Sequence, residues 1–156
     1  MRRMRILIVA ATLALFAGAA TEAASAAPAK HCTSGKCAKK RVKKLLAGRV
    51  LIKFTQTTGN TNYTSLDQRL HLCGNGDYIY DSVSYIEATG TTSQQRYTGR
   101  WKVKSAHLSR SGNRGAARLK GTPDGGGPAT TVRVKWKNGQ VRLDGAEVIA
   151  DRSDLC

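Results

Sequence analysis

Residues 131–145 read Thr131-Val-Arg-Val-Lys-Trp-Lys-Asn-Gly-Gln-Val-Arg-Leu-Asp-Gly145, and this stretch decides the fold class. Asn138-Gly139 is the two-residue link of a β-hairpin, because both central residues of a type I′ turn need positive φ and these residue types adopt it cheaply. Pairing outward from the turn sets Trp136 opposite Val141 and Val134 opposite Leu143 on one face. The other face then carries Lys137 opposite Gln140, Lys135 opposite Arg142 and Arg133 opposite Asp144. One register satisfies both faces, as a side-chain period of two requires.

The chain on either side of this hairpin follows the same grammar. Val50, Ile52 and Phe54 alternate with Leu51, Lys53 and Thr55 from Gly48 onward. Gln56–Ser65 is polar and reads as a loop, with an Asn62-Tyr63-Thr64 sequon inside it. Arg69–Cys73 and Asp77–Ile86 flank Gly74-Asn-Gly-Asp77 as a second hairpin, in which Tyr78/Tyr80 or Ile79/Val83 face inward depending on loop length. Thr89–Thr98 reads as another polar loop, and Trp101 and Val103 then alternate with Arg100, Lys102 and Lys104. Ser109–Gly115 is a turn, Ala116–Lys120 a short strand, and Thr122–Pro128 a run of breakers. Ala146–Ala150 is a last short strand. The expectation is an all-β fold: an antiparallel meander of seven to eight short strands forming a small barrel or a strongly curled sheet, preceded by a basic N-terminal arm.

Residues 1–26 have the layout of a secretory signal, with Arg2, Arg3 and Arg5, an apolar run from Ile6 to Ala17, and Ala24-Ser25-Ala26 as a cleavage site. The apolar run is too short for a good transmembrane helix. The expected divisions are therefore a signal at 1–26, a basic arm at 27–47 and one β domain at 48–156. The location follows as secreted or periplasmic. The full chain carries 26 Lys and Arg against 10 Asp and Glu, a formal charge of +16, and loss of the signal leaves roughly +14. Such a charge attracts anions from a distance. Export removes intracellular nucleic acids from consideration and leaves lipid head groups, acidic polymers and extracellular DNA.

All four cysteines, Cys32, Cys37, Cys73 and Cys156, fall after the signal. An even count in an exported chain implies two disulfides, and four cysteines allow three pairings. Cys32 and Cys37 flank four residues and close a local loop easily, so Cys73 with Cys156 is the preferred second bond.

Leu72-Cys73-Gly-Asn-Gly-Asp-Tyr78, then Gly99-Arg100-Trp101, then the hairpin ending Leu143-Asp144-Gly145, together resemble small secreted bacterial β-barrel domains of lipocalin-like type. The resemblance covers roughly residues 48–150. It implies a barrel that takes a small apolar ligand. The Gly-x-Trp of that family sits on the first strand, whereas Gly99–Trp101 falls mid-chain, so no ligand residues carry over.

One constellation points to a partner. Arg100, Lys102 and Lys104 share parity, as do Arg118 and Lys120, and Arg133, Lys135 and Lys137 lie beside Arg142. In the arm, Lys39, Lys40, Arg41, Lys43 and Lys44 form a basic run in which Val42, Leu45 and Leu46 have helical spacing. Like charges directly opposite, such as Lys135 and Arg142, destabilise a sheet unless an anion sits between them. The competing explanation is defensive, since edge strands use lysine against edge-to-edge pairing. An anionic polymer or membrane surface is the expected partner. Nucleic acid is a partner that ring placement does not support, because Trp101 and Trp136 share parity with the core residues, while the parity of Tyr63, Tyr78, Tyr80, Tyr85 and Tyr97 is left open.

Other chemistry is thinly represented. His31, Cys32 and Cys37 lack a fourth ligand for zinc, and export favours the disulfide. Asp77 and Asp81 lack the offsets of a calcium loop. His71 and His107 accompany no recognised nucleophile motif, and Gly125–Gly127 is not a phosphate cradle. No enzyme activity, metal or cofactor is expected. The readings carried forward are an anion-binding module, a lipocalin-like carrier of a small apolar ligand, and a structural or accessory secreted protein.

Overall fold

The computed structural model describes residues 32–59 and 63–156. The expected signal, the start of the arm at 27–31 and Asn62 of the sequon lie outside the described residues.

Helix α1 spans Gly35–Leu46 and is followed by β1 Arg49–Thr58, β2 Tyr63–Leu72, β3 Asp77–Ile86 and β4 Thr91–Leu108. Then come β5 Arg114–Pro123, β6 Thr130–Lys137, β7 Gln140–Leu143 and β8 Ala146–Arg152. Among the described residues these eight strands pair antiparallel with their sequence neighbours, and β1 pairs with β8, so the sheet closes into a barrel. The closing seam is short, running from Arg49↔Arg152 to Ile52↔Ile149. The β6–β7 hairpin has the register expected from its sequence, Trp136↔Val141 and Lys135↔Arg142, with Asn138 and Gly139 at φ 51° and 87°.

Alternation sends one residue set of each strand into the barrel. Leu51, Leu72, Tyr78, Trp101, Leu119, Val134 and Val148 meet there as one buried cluster. The β2–β3 register, Leu72↔Tyr78 and Leu70↔Tyr80, settles the open choice in favour of the tyrosines inside. On β1 the inward set is Leu51 and Lys53, while Phe54 points out and is 56% exposed.

Three expectations about strand limits are corrected. Gln56–Ser65 is mostly strand, since β1 runs to Thr58 and β2 begins at Tyr63. Thr89–Thr98 is not a loop. After a 3₁₀ turn at Glu87–Thr89, β4 starts at Thr91 and pairs residue for residue with β3. From Thr91 to Thr98 its side chains are exposed on both faces, so no apolar alternation marks the segment as strand. It is held by its ladder and by contacts such as Ser84 Oγ to Ser93 Oγ at 2.8 Å. The third correction concerns parity. A bulge between Val103 and Ser105 shifts the β4–β5 register, so both Lys104 and Ser105 are exposed before Ala106 and Leu108 turn inward again.

The arm contains a full helix in place of one amphipathic turn. Ala38 and Val42 are completely buried in the barrel's cluster, with Leu46 packed beside them, whereas Leu45 stays 49% exposed. Apolar residues four apart line up on one helical face, and here that face covers one end of the barrel. The Ala47 amide donates to Lys43 O, and Gly48 at φ 74° turns the chain into β1. Tertiary packing accounts for a helix that would be marginal alone.

Disulfides join Cys32 to Cys37 and Cys73 to Cys156, as preferred from the spacing. The second ties the C-terminal segment across the outside of β2. There His71 is only 3% exposed although its strand position faces outward. Its Nδ1 lies 2.9 Å from Ser153 Oγ, which also accepts the Leu155 amide. No described helix is long and apolar enough to cross a membrane.

Candidate functional site

The outer surface of the barrel is divided by charge. Strands β4, β5, β6 and β7 contain no aspartate or glutamate, whereas β2, β3 and β8 hold Asp67, Asp77, Asp81, Glu147 and Asp151. The four carboxylate-free strands are consecutive neighbours in the barrel. Their outward residues put like charges side by side: Lys102↔Lys120, Arg118↔Arg133 and Lys135↔Arg142 are direct cross-strand partners.

The residues singled out by sequence fall into three groups. Lys102, Arg118, Lys120, Arg133, Lys135, Lys137 and Arg142 share this sheet face, and none forms a salt bridge among the described residues. Lys104 belongs to the same neighbourhood but sits on the bulge, out of line with Lys102. Arg100 differs from these in having a carboxylate partner: its Nη1 donates to Asp77 Oδ1 at 2.7 Å in an exposed pair. In the helix, Lys39, Lys40 and Lys44 are exposed. Arg41 lies against Gly112 in the β4–β5 turn, and Lys43 Nζ stands 5.9 Å from the centre of the Trp101 ring. Those two side chains help seat the helix, Lys43 through the cation–π attraction.

A groove of about 610 Å³ indents the cationic face where β4–β7 approach the helix end. Its floor is Ala116 and Gly115, its charged sides are Arg114, Lys135, Lys137 and Arg142, and His107, Ser109, Trp136 and Gln140 complete the border. Sequence reading weighed His107 only as a catalytic group and left Arg114 out of the cationic face. Arg114 lies inside what reads as a turn, and His107 changes face only because of the upstream bulge.

The barrel interior supplies a second concavity. A cavity of about 350 Å³ is lined by Leu70, Leu72, Tyr78, Tyr80, Tyr97, Trp101, Leu119, Gly121, Pro123, Thr130, Val132 and Leu143. Tyr97 and Thr130 are exposed and mark its mouth. The Tyr80 and Tyr97 rings stack with centroids 6.1 Å apart. Burial pushes the Tyr78 phenol above its ordinary value, with the Asp124 charge adding to the effect, so it stays protonated at neutral pH. The Trp101 indole donates to Cys73 O at 3.0 Å. Gly99 leaves space for the Tyr78 ring, since a Cβ there would come within 2.6 Å of Tyr78 Cε1. A smaller lobe beside it holds Lys53, Gln68 and Asp144.

The remaining polar cluster is structural. Arg96 donates to both Asp81 oxygens, at 2.6 and 3.0 Å. These hydrogen bonds, helped by the Arg96, His71 and Arg69 charges, hold the Asp81 carboxyl below its usual range against the opposing effect of burial. His71 Nε2 is 3.9 Å from the same carboxylate. The Cys32–Cys37 bond removes both thiolates as metal ligands. Among the described residues no three His, Cys, Asp or Glu converge as a metal site.

Comparison with protein-family models, curated proteins and solved structures found no match to this chain.

Proposed function

We propose that this chain is an exported, non-catalytic binding module that holds an anionic polymer against the outer face of β4–β7. The supporting observation is the absence of carboxylates from four adjacent strands that carry directly opposed cations. The barrel also weakens the defensive explanation. In a closed barrel no strand is an edge, and β4–β7 are each paired on both sides, so their lysines have no edge to guard. Opposed like charges cost stability, and a polyanion laid across them reverses the sign of that interaction. The pair of disulfides suits an oxidising compartment outside the cytoplasm.

The test is a titration of the purified protein against heparin at rising salt. Affinity falls linearly on a log–log plot as counterions are released. The triple variant Lys135→Glu/Lys137→Glu/Arg142→Glu loses about 100-fold or more in affinity at low salt. Affinity that stays flat across the salt series, or survives the triple reversal, overturns the reading.

The interior cavity supports a second reading, a lipocalin-like carrier of a small apolar ligand. Its volume lies within the range of small-molecule pockets and its lining is mostly aromatic and aliphatic. The two readings use opposite sides of the same strands and are separable by mutation.

A further inference from the structure

We propose that the groove over Ala116 is the seat of a phosphodiester group, so that the face selects an extended phosphodiester polymer over carboxylate polymers of equal charge. This rests on the reading of β4–β7 as a polyanion-binding face and names the chemistry of its ligand. On the outer side of β5 the residues in sequence are Arg114, Ala116, Arg118 and Lys120. Ala116 is the one short side chain in that column, and it leaves a notch. Across the strands the notch is bordered by His107 on β4 and Lys135 on β6, its direct partners, with Arg142 next to Lys135 on β7. Arg114 and Lys137, partners in the next row, close the end near the helix.

Arg114 and Lys137 at its end, with Lys135 and Arg142 along one side, give the notch its charge, and the His107 ring forms the other wall. Both groups offer two free oxygens, but those of a phosphodiester project sideways from a phosphorus that is itself part of the chain, whereas a carboxylate hangs from the ring or chain that carries it. Guanidinium groups, two of them here, match phosphate geometry with paired N–H bonds, and lysines add point charge. The cation rows continue along the strands, with same-face residues about 6.7 Å apart and adjacent strands about 4.8 Å apart. Successive charges of a chain leaving the notch therefore meet Arg118, Arg133, Lys120 or Lys102. A phosphodiester carries its charge on the chain axis, so a strand lying in the groove presents each charge to the walls. A polysaccharide turns part of its peripheral charges away. A nucleic acid is the disfavoured polymer, because Trp101 is buried, Trp136 borders the groove with its indole tied to Gly112 O, and the exposed Tyr97 stands at the mouth of the interior cavity, so stacking rings do not alternate with the cations. Nor does the face suit a membrane: the most exposed aliphatic and aromatic side chains, Ile149 and Phe54, stand on β8 and β1, outside the four strands that carry the cations.

The experiment measures binding of the purified chain to poly(glycerol phosphate), polygalacturonate, single-stranded DNA and phosphatidylglycerol vesicles at fixed ionic strength. Poly(glycerol phosphate) binds roughly tenfold or more tightly than polygalacturonate. Ala116→Leu fills the notch while leaving all charges in place, and removes that preference with its weak polygalacturonate binding retained. Ala116→Ser, which keeps the space, binds like the parent. Arg142→Lys keeps the charge, folds independently of the notch's packing, and lowers poly(glycerol phosphate) affinity several-fold with no change for polygalacturonate. Equal affinity for the two polymers, full affinity in Ala116→Leu, or tighter binding to DNA or vesicles overturns the proposal. Loss of all polymer binding in the triple charge reversal alongside unchanged binding by Ala116→Leu sinks the notch and leaves the broader face reading standing. Binding unaffected by the charge reversal sinks both.

Discussion

Lys102 on β4 and Lys120 on β5 stand directly opposite one another on the outer face of the barrel, with no carboxylate on either strand. In the next row on the same face Arg118 faces Arg133 in the same manner. A sheet optimised only for stability places opposite charges at such positions. Like charges oppose one another on three neighbouring strand pairs, at a cost of about a few tenths of a kcal/mol per pair that a bound polyanion of the kind proposed would offset.

Lys120→Glu should therefore stabilise the protein and weaken it as a binder. The substitution turns Lys102↔Lys120 into an attractive pair, worth about 0.2–1 kcal/mol. Chemical denaturation and heparin affinity, measured on the same preparation, check the two effects. A stability gain with unchanged affinity would show that this pair lies outside the binding surface.

The Asp81–Arg96 contact sets part of the acid sensitivity. Asp81 is held below the ordinary carboxylate range in the folded chain, chiefly by hydrogen bonds from Arg96. Its contribution is complete above the unfolded carboxylate value and is lost as pH falls through the lower folded value. Asp81→Asn is thus less stable than the parent at neutral pH, and the difference shrinks toward pH about 2. Thermal melts across that range decide it; a constant gap between parent and variant at every pH rejects the linkage.

The interior reading makes a separate demand. Thr130 lies at the exposed mouth of the cavity lined by Leu70, Tyr80 and Leu143. Thr130→Trp should block that mouth and abolish uptake of a fluorescent apolar probe such as 1-anilinonaphthalene-8-sulfonate, while heparin binding persists. Because that probe is anionic, the control is the triple charge reversal, which keeps the interior signal. A parent protein that takes up no probe rules out the carrier.

The residues themselves carry the local decisions. Asn138-Gly139 with alternation on both sides contains its own register, because a two-residue turn and a period of two leave one consistent pairing. The short loop between Cys32 and Cys37 makes their bond, and with it Cys73–Cys156, the preferred one of three pairings, and the folded chain contains both. Strand-face cations such as Lys102, Lys120 and Lys135 are visible as a parity pattern. What tertiary structure decided is everything that depends on distant segments meeting. Thr91–Thr98 is exposed on both faces and has no apolar period, so its strand state comes from pairing with β3. The bulge at Val103/Ser105 displaces Lys104 from its expected line and brings His107 to the groove. Asp77 claims Arg100 across the β3–β4 ladder. The contrast has a physical root: turn geometry and side-chain alternation act between neighbours in the chain, whereas barrel closure, bulge placement and charge segregation arise only when all eight strands share one hydrogen-bonded cylinder.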